Sequence, residues 1–139
     1  MTFDPARPRY TLTLAGTDYD LVGTLGLIEA VEYAFQDGVI RVAARTPDMG
    51  LTETAKLAAA VLGASGHKLT AARVGETIFD AGVNSEAFTL LRLHLYAFLK
   101  IVMQPPELRE GTAKQMGELL GNAATPSRGK STRKSRSAS

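Results

Sequence analysis

The sequence predicts an α+β fold: an N-terminal β-hairpin packed on a mainly α-helical small bundle, followed by a disordered basic tail. Three observations carry this. Across Tyr10–Phe35 the apolar period changes once, from two to about 3.6, at a short Gly23-Thr24 hinge. From Leu25 to Met103 apolar residues keep recurring at helical spacing. From Asn122 onward the chain is mostly Ala, Ser, Thr, Lys and Arg, with almost nothing to bury. The expected organisation is a loose lead-in over 1–8, one α+β domain over 9–121 and the tail over 122–139.

The hairpin comes first. Tyr10, Leu12 and Leu14 alternate with Arg9, Thr11 and Thr13, the pattern of a half-buried strand. Ala15-Gly16-Thr17-Asp18 supplies turn chemistry, with Gly16 free to take positive φ. Tyr19 and Leu21 alternate with Asp18 and Asp20 on the return strand, and the β pattern stops at Val22. Two strands alone are marginal in water, so the hairpin needs support, and the following helix is the expected one. Thr24 is its N-cap. Leu25, Ile28, Val31 and Phe35 form one stripe, widened by Leu27, Ala30 and Ala34, with Glu29, Glu32 and Gln36 opposite. Gly38 is the expected left-handed cap. The apolar hairpin face (Tyr10, Leu12, Leu14, Tyr19, Leu21) is expected to pack on that stripe.

Residues 39–45, VIRVAAR, are compatible with a short helix or a strand. Helix is favoured, because it places Arg41 and Arg45 on one face and Ala43-Ala44 suits it, and Thr46-Pro47 ends it. A third helix starts near Thr52, turns Ala55, Ala58, Val61 and Leu62 inward, and closes at Gly63 and Gly66. The next begins at an N-cap, Thr70, with Leu69 able to staple to Val74; Ile78 and Phe79 continue its buried side and Gly82 ends it. The last begins at Asn84 as N-cap, with Val83 placed to staple to Phe88 and Glu86 favourably set in its first turn. It runs to about Met103, where Gln104-Pro105-Pro106 stops it. Phe88, Leu91, Leu95, Phe98 and Val102 make one stripe, and Leu90, Leu93, Ala97 and Ile101 widen it. A helix apolar most of the way round is central to a core or buried by another chain. This stripe is therefore the candidate partner-binding surface. Leu108, Met116, Leu119 and Leu120 fit a short, glycine-interrupted helix.

Composition bounds the function classes. With 139 residues and 45% hydrophobic content, the chain can build one domain with a real core. No cysteine is present, which excludes disulfides, thiolate metal sites and a cysteine nucleophile. MTFDPARPRY contains no apolar segment of the signal-peptide kind, and no stretch approaches the ~20 apolar residues of a membrane span, so a soluble intracellular protein is expected. The net charge of +2 hides an asymmetry. The tail from Pro126 carries five bases and no acid, leaving eleven bases against fourteen acids, so the body sits at −3.

Candidate chemistry fails on spacing. The segment GASGHKLT, residues 63–70, and the Gly129-Lys130-Ser131 segment both miss the phosphate-loop pattern, and a helix–helix loop and a basic tail account for them. His67 and His94 are the only histidines, and neither has a second ligand at metal-binding spacing; structural roles are expected. Glu29 with Glu32, and Glu76 with Asp80, read as solvated helix faces. No enzyme activity, cofactor or metal is therefore expected. Arg128, Lys130, Arg133, Lys134 and Arg136 could contact nucleic acid non-specifically, without aromatic residues to stack bases.

The order of elements resembles the small protein encoded among the tail genes of gene transfer agents and related siphophages. The likeness covers roughly residues 9–104 and rests on the hairpin followed by a helix of the pattern TLG-x-[IL]-x-x-x-E-x-x-F, here Thr24, Leu25, Gly26, Ile28, Glu32 and Phe35. Leu27 and Ile28, both of the type the pattern asks for, blur the alignment by one place. The family has been labelled a tail tube protein, and its size also resembles tail assembly chaperones of long-tailed phages. Those coat the tape-measure protein, keep its hydrophobic helices soluble and help recruit tube subunits. The resemblance thus implies a non-catalytic chaperone in the bacterial host cytoplasm, and leaves open whether it stays in the mature particle. Its implied partners are the tape-measure protein, the major tail protein and further copies of itself. The alternatives are a structural tube subunit or a basic-tailed nucleic-acid-binding module. One hairpin among four or five helices favours the chaperone, because tube subunits are mostly β.

Overall fold

The computed structural model describes residues 3–124, with side chains to residue 121. It is an α+β fold: an antiparallel hairpin, β1 (Arg9–Leu14) and β2 (Thr17–Val22), followed by six helices. These are α1 (Leu25–Phe35), α2 (Val39–Arg45), α3 (Leu51–Ala64), α4 (Ala71–Ala81), α5 (Glu86–Met103) and α6 (Pro106–Ala124), with a 3₁₀ turn at Thr46–Asp48 between α2 and α3. The hairpin loop is two residues, shorter than the four-residue turn segment suggested: Leu14 pairs with Thr17, and Ala15 and Gly16 both take positive φ (53° and 80°). Positive φ at both central residues is the twist-matched solution for a right-twisted hairpin.

The helix boundaries follow local chemistry. Thr24 and Thr70 accept from the backbone N–H groups of Leu27 and Arg73, as expected of N-caps. Residues 39–45 are helical, and Gly82 ends α4 at φ 103°. Two caps differ from expectation. Ser85, not Asn84, caps α5 by accepting from Phe88 N–H, and Val83 is left exposed rather than stapled. Gln36, not Gly38, takes the left-handed conformation after α1, because Gly38 is already the N-cap of α2.

The hairpin leans mainly on α5 and α3, and it meets α1 through the shared core, where Leu12, Leu14 and Leu21 join Leu27 and Val31. β1 packs on α5 and β2 on α3, while α1 packs on α3 and α2. Consistently, α1 buries Leu27 and Val31, with Ile28 and Phe35 partly buried, and leaves Leu25 exposed. Residues 27, 28, 31 and 35 share a helix face, and Leu25 lies off it. Among the described residues, the strict close approach at a glycine is at Gly23. A Cβ there would stand 2.8 Å from Val102 Cγ2 and 2.9 Å from Pro8 Cγ, so only glycine lets the hairpin exit pass between α5 and the lead-in.

Helix α5 is the axis of the core. Phe88, Leu91, Leu95, Phe98 and Val102 join the main buried cluster with Leu12, Leu21, Leu27, Val31, Leu57 and Leu62. The opposite side of α5, with Ala97 and Ile101 also buried, is the side left for α6, which packs on α5. This corrects two expectations. The final segment is a continuous 19-residue helix through Gly111, Gly117 and Gly121, not a short one, and its last residues reach past position 122. The lead-in is also anchored: Arg109 donates to the carbonyls of Val102, Gln104 and Pro5, and Gly23 N–H donates to Pro8 O. One guanidinium thereby satisfies free carbonyls at the α5 C-terminus and ties the lead-in to α6.

Candidate functional site

The candidate partner-binding stripe of α5 is closed. Phe88, Leu91, Leu95, Phe98 and Val102 are all buried within the chain's own core, so they cannot face a partner. The physical reason is the number of neighbours: the hairpin, α2, α4 and the 3₁₀ turn meet α5, and α6 takes another side. Arg128, Lys130, Arg133, Lys134 and Arg136 lie outside the described residues.

Exposed apolar side chains stand on several elements, Leu25, Tyr33, Ile40 and Phe79 among them, and one of these, Phe79, borders a groove between α3 and α4. These helices pack closely, yet leave a groove of about 700 Å³ along their outer side. At its base lie the small residues Ala55 and Gly75, and it is lined further by Ala72 and by the apolar Leu51 and Phe79. Phe79 was expected on the buried side of α4 but is 71% exposed. Val74 and Ile78 set the inward face of α4, and Phe79, one residue on, is turned away from it by about 100°. Glu76 and Asp80 stand on the same side, so the rim is acidic. The i, i+4 acid pair was the legible signal that this face is open; the aromatic between them was misread.

A second open feature is the edge of β1. The β2 edge is covered by the α3–α4 loop. Val22 N–H donates to Ser65 Oγ (3.1 Å), and His67 Nε2–H donates to Asp20 O (2.8 Å), with the His67 ring edge-on to Tyr19 at 5.2 Å. Residues 65 and 67, in the segment that misses the phosphate-loop pattern, therefore cover this edge through two side-chain hydrogen bonds. On β1, the residues not paired toward β2 are Arg9, Thr11 and Thr13, and all three are exposed.

Both histidines have structural partners on the hairpin, one per strand. His94 Nδ1 lies 2.7 Å from the Tyr10 hydroxyl, which donates when the imidazole proton is on Nε2. Burial pushes the Tyr10 phenol up to about 12 and lowers His94 below the ordinary imidazole value, so both stay neutral. Of the acids, Glu32 accepts from Val39 N–H at the start of α2. Among the described residues no group of three His, Cys, Asp or Glu stands together as a metal set, and no helix is long and apolar enough to cross a membrane.

No family model, curated protein or solved structure matches the chain.

Proposed function

We propose that this chain is a non-catalytic assembly chaperone of a phage-like tail, acting in the bacterial cytoplasm and holding a helix of the tape-measure protein in the α3–α4 groove. The observation that carries the reading is the exposed Phe79 beside a small-residue floor. A helix laid in such a groove can insert one large side chain over Gly75 and cover Phe79. Covering a phenylalanine contributes about 1.5–3 kcal/mol, the scale of an interface hot spot. The resemblance of residues 9–104 to the tail-gene family supports the same client.

Co-expression tests it. The tape-measure protein should be markedly more soluble with this chain than without it, and Phe79→Asp should remove the gain. A tape measure equally insoluble with and without the chain sinks the proposal. A second reading, a structural tail subunit, is favoured by the open β1 edge. Many stoichiometric copies in the mass spectrum of purified particles would select it over the chaperone.

A further inference from the structure

The geometry points to a two-fold self-association in which β1 of one copy pairs antiparallel with β1 of a second, centred on Thr11. The inference stands apart from the chaperone reading and rests on the two edges of the hairpin. In an antiparallel ladder, residues alternate between pointing their peptide groups at the partner strand and away from it. Val22 N–H and Asp20 C=O point away from β1, into the Ser65–His67 loop. Their partners in register, Arg9 and Thr11, and the next in sequence, Thr13, therefore point away from β2. Gly23 N–H donating to Pro8 O fixes the same phase, since residues 8, 10, 12 and 14 then face β2. Among the described residues the outward peptide groups of Arg9, Thr11 and Thr13 have no hydrogen-bond partner.

Unpaired strand edges are normally blunted by proline, charged side chains, a bulge or a covering segment. This chain covers the β2 edge and leaves the β1 edge flat: RYTLTL holds no proline, pairs in continuous register and carries one charge, Arg9, at its first position. The occupant is a second copy because the edge is complementary to itself. Pairing about Thr11 sets Thr11 opposite Thr11 and Arg9 opposite Thr13, so each outward residue of both copies finds a partner and the interface closes in a dimer. Threonine opposite threonine is a favourable cross-strand pair. Charge agrees as well. The Thr13 hydroxyl donates to the Asp18 carboxylate (2.6 Å), so Arg9 of one copy comes to lie beside the Thr13–Asp18 pair of the other.

The chain has no cysteine, so one introduced thiol reports the register without ambiguity. Residues directly opposite in a hydrogen-bonded pair sit ~5.5 Å apart at Cα, within disulfide range. The full chain should show a concentration-dependent dimer by sedimentation. T11C should give a disulfide dimer under mild oxidation, and T13C should give at least tenfold less. Thr11→Pro should weaken the dimer at least tenfold with unchanged circular dichroism, because the lost N–H makes no bond within the chain. R9E should weaken it, and R9E with D18K should restore it. A chain that is monomeric at every concentration overturns the inference. So does equal cross-linking of T11C and T13C, or a dimer indifferent to Thr11→Pro.

Discussion

Helices α5 and α4 are neighbours in sequence, and both carry more apolar residues than one face can hold. Their fates differ. Four elements and then α6 close around α5, and its aromatic and leucine stripe disappears into the core. On α4, with α3 on one side and little else across the other, Phe79 stays in the open. Apolar content therefore marks what must be covered, while the count of neighbouring elements decides whether the same chain covers it. The long, almost wholly apolar helix looked like the interface; the short one with two acids carries the groove.

Mutations separate the two helices. On the closed side, Phe98→Ala removes a fully buried ring and should cost about 3–5 kcal/mol in urea unfolding, enough to threaten the fold. A loss under 1 kcal/mol would mean that α5 is not the axis of the core. Gly23→Ala drives a methyl into Val102 and the Pro8 ring and should cost about 1–3 kcal/mol.

Acid should also loosen the closed side, through His94. His94 is held neutral by burial beside Tyr10, with the Phe98 ring 5.6 Å from Tyr10. Its folded pKa is lowered, so as pH falls through about 6.5 the unfolded chain takes up the proton first and stability drops. Tyr10 has the opposite sign: its pKa is raised to about 12, so stability falls as pH rises from 10 toward 12. Urea midpoints should decline on both flanks, and His94→Gln should flatten the acid flank.

On the open side the effects should be small. A methyl at Gly75 would meet only Leu51 Cδ2 at 3.7 Å and Ala55 Cβ at 3.8 Å, ordinary contacts. Gly75→Ala should therefore stabilise by about 0.5–1 kcal/mol through helix propensity. Phe79→Asp should leave stability within about 0.5 kcal/mol while abolishing client solubilisation. A large stability loss from Phe79→Asp would place that ring in a core after all.

Legibility in the sequence followed the range of the interactions involved. The hairpin, the helical state of residues 39–45, the Thr24 and Thr70 caps and the Gly82 stop were all readable, because each depends on residues within a turn or two. Asn84 and Ser85 are both good caps, and nothing local separates them. The length of α6 was missed because three glycines weaken its propensity. Its support comes from α5 and from Arg109 reaching Val102, Gln104 and Pro5. The groove was missed because Phe79 was assigned to the wrong side of one helix by a single residue.

By itself the sequence determined the fold class, the order of the elements through α5 and several of their ends, since periodicity, caps and turn residues act over a few positions. Only the tertiary structure decided what supports the hairpin, which apolar faces are closed and which strand edge is left open. Those outcomes depend on contacts between Tyr10 and His94, Val22 and Ser65, or Pro5 and Arg109, separated by 84, 43 and 104 positions. No local pattern encodes such pairings, because each exists only once the intervening helices have packed.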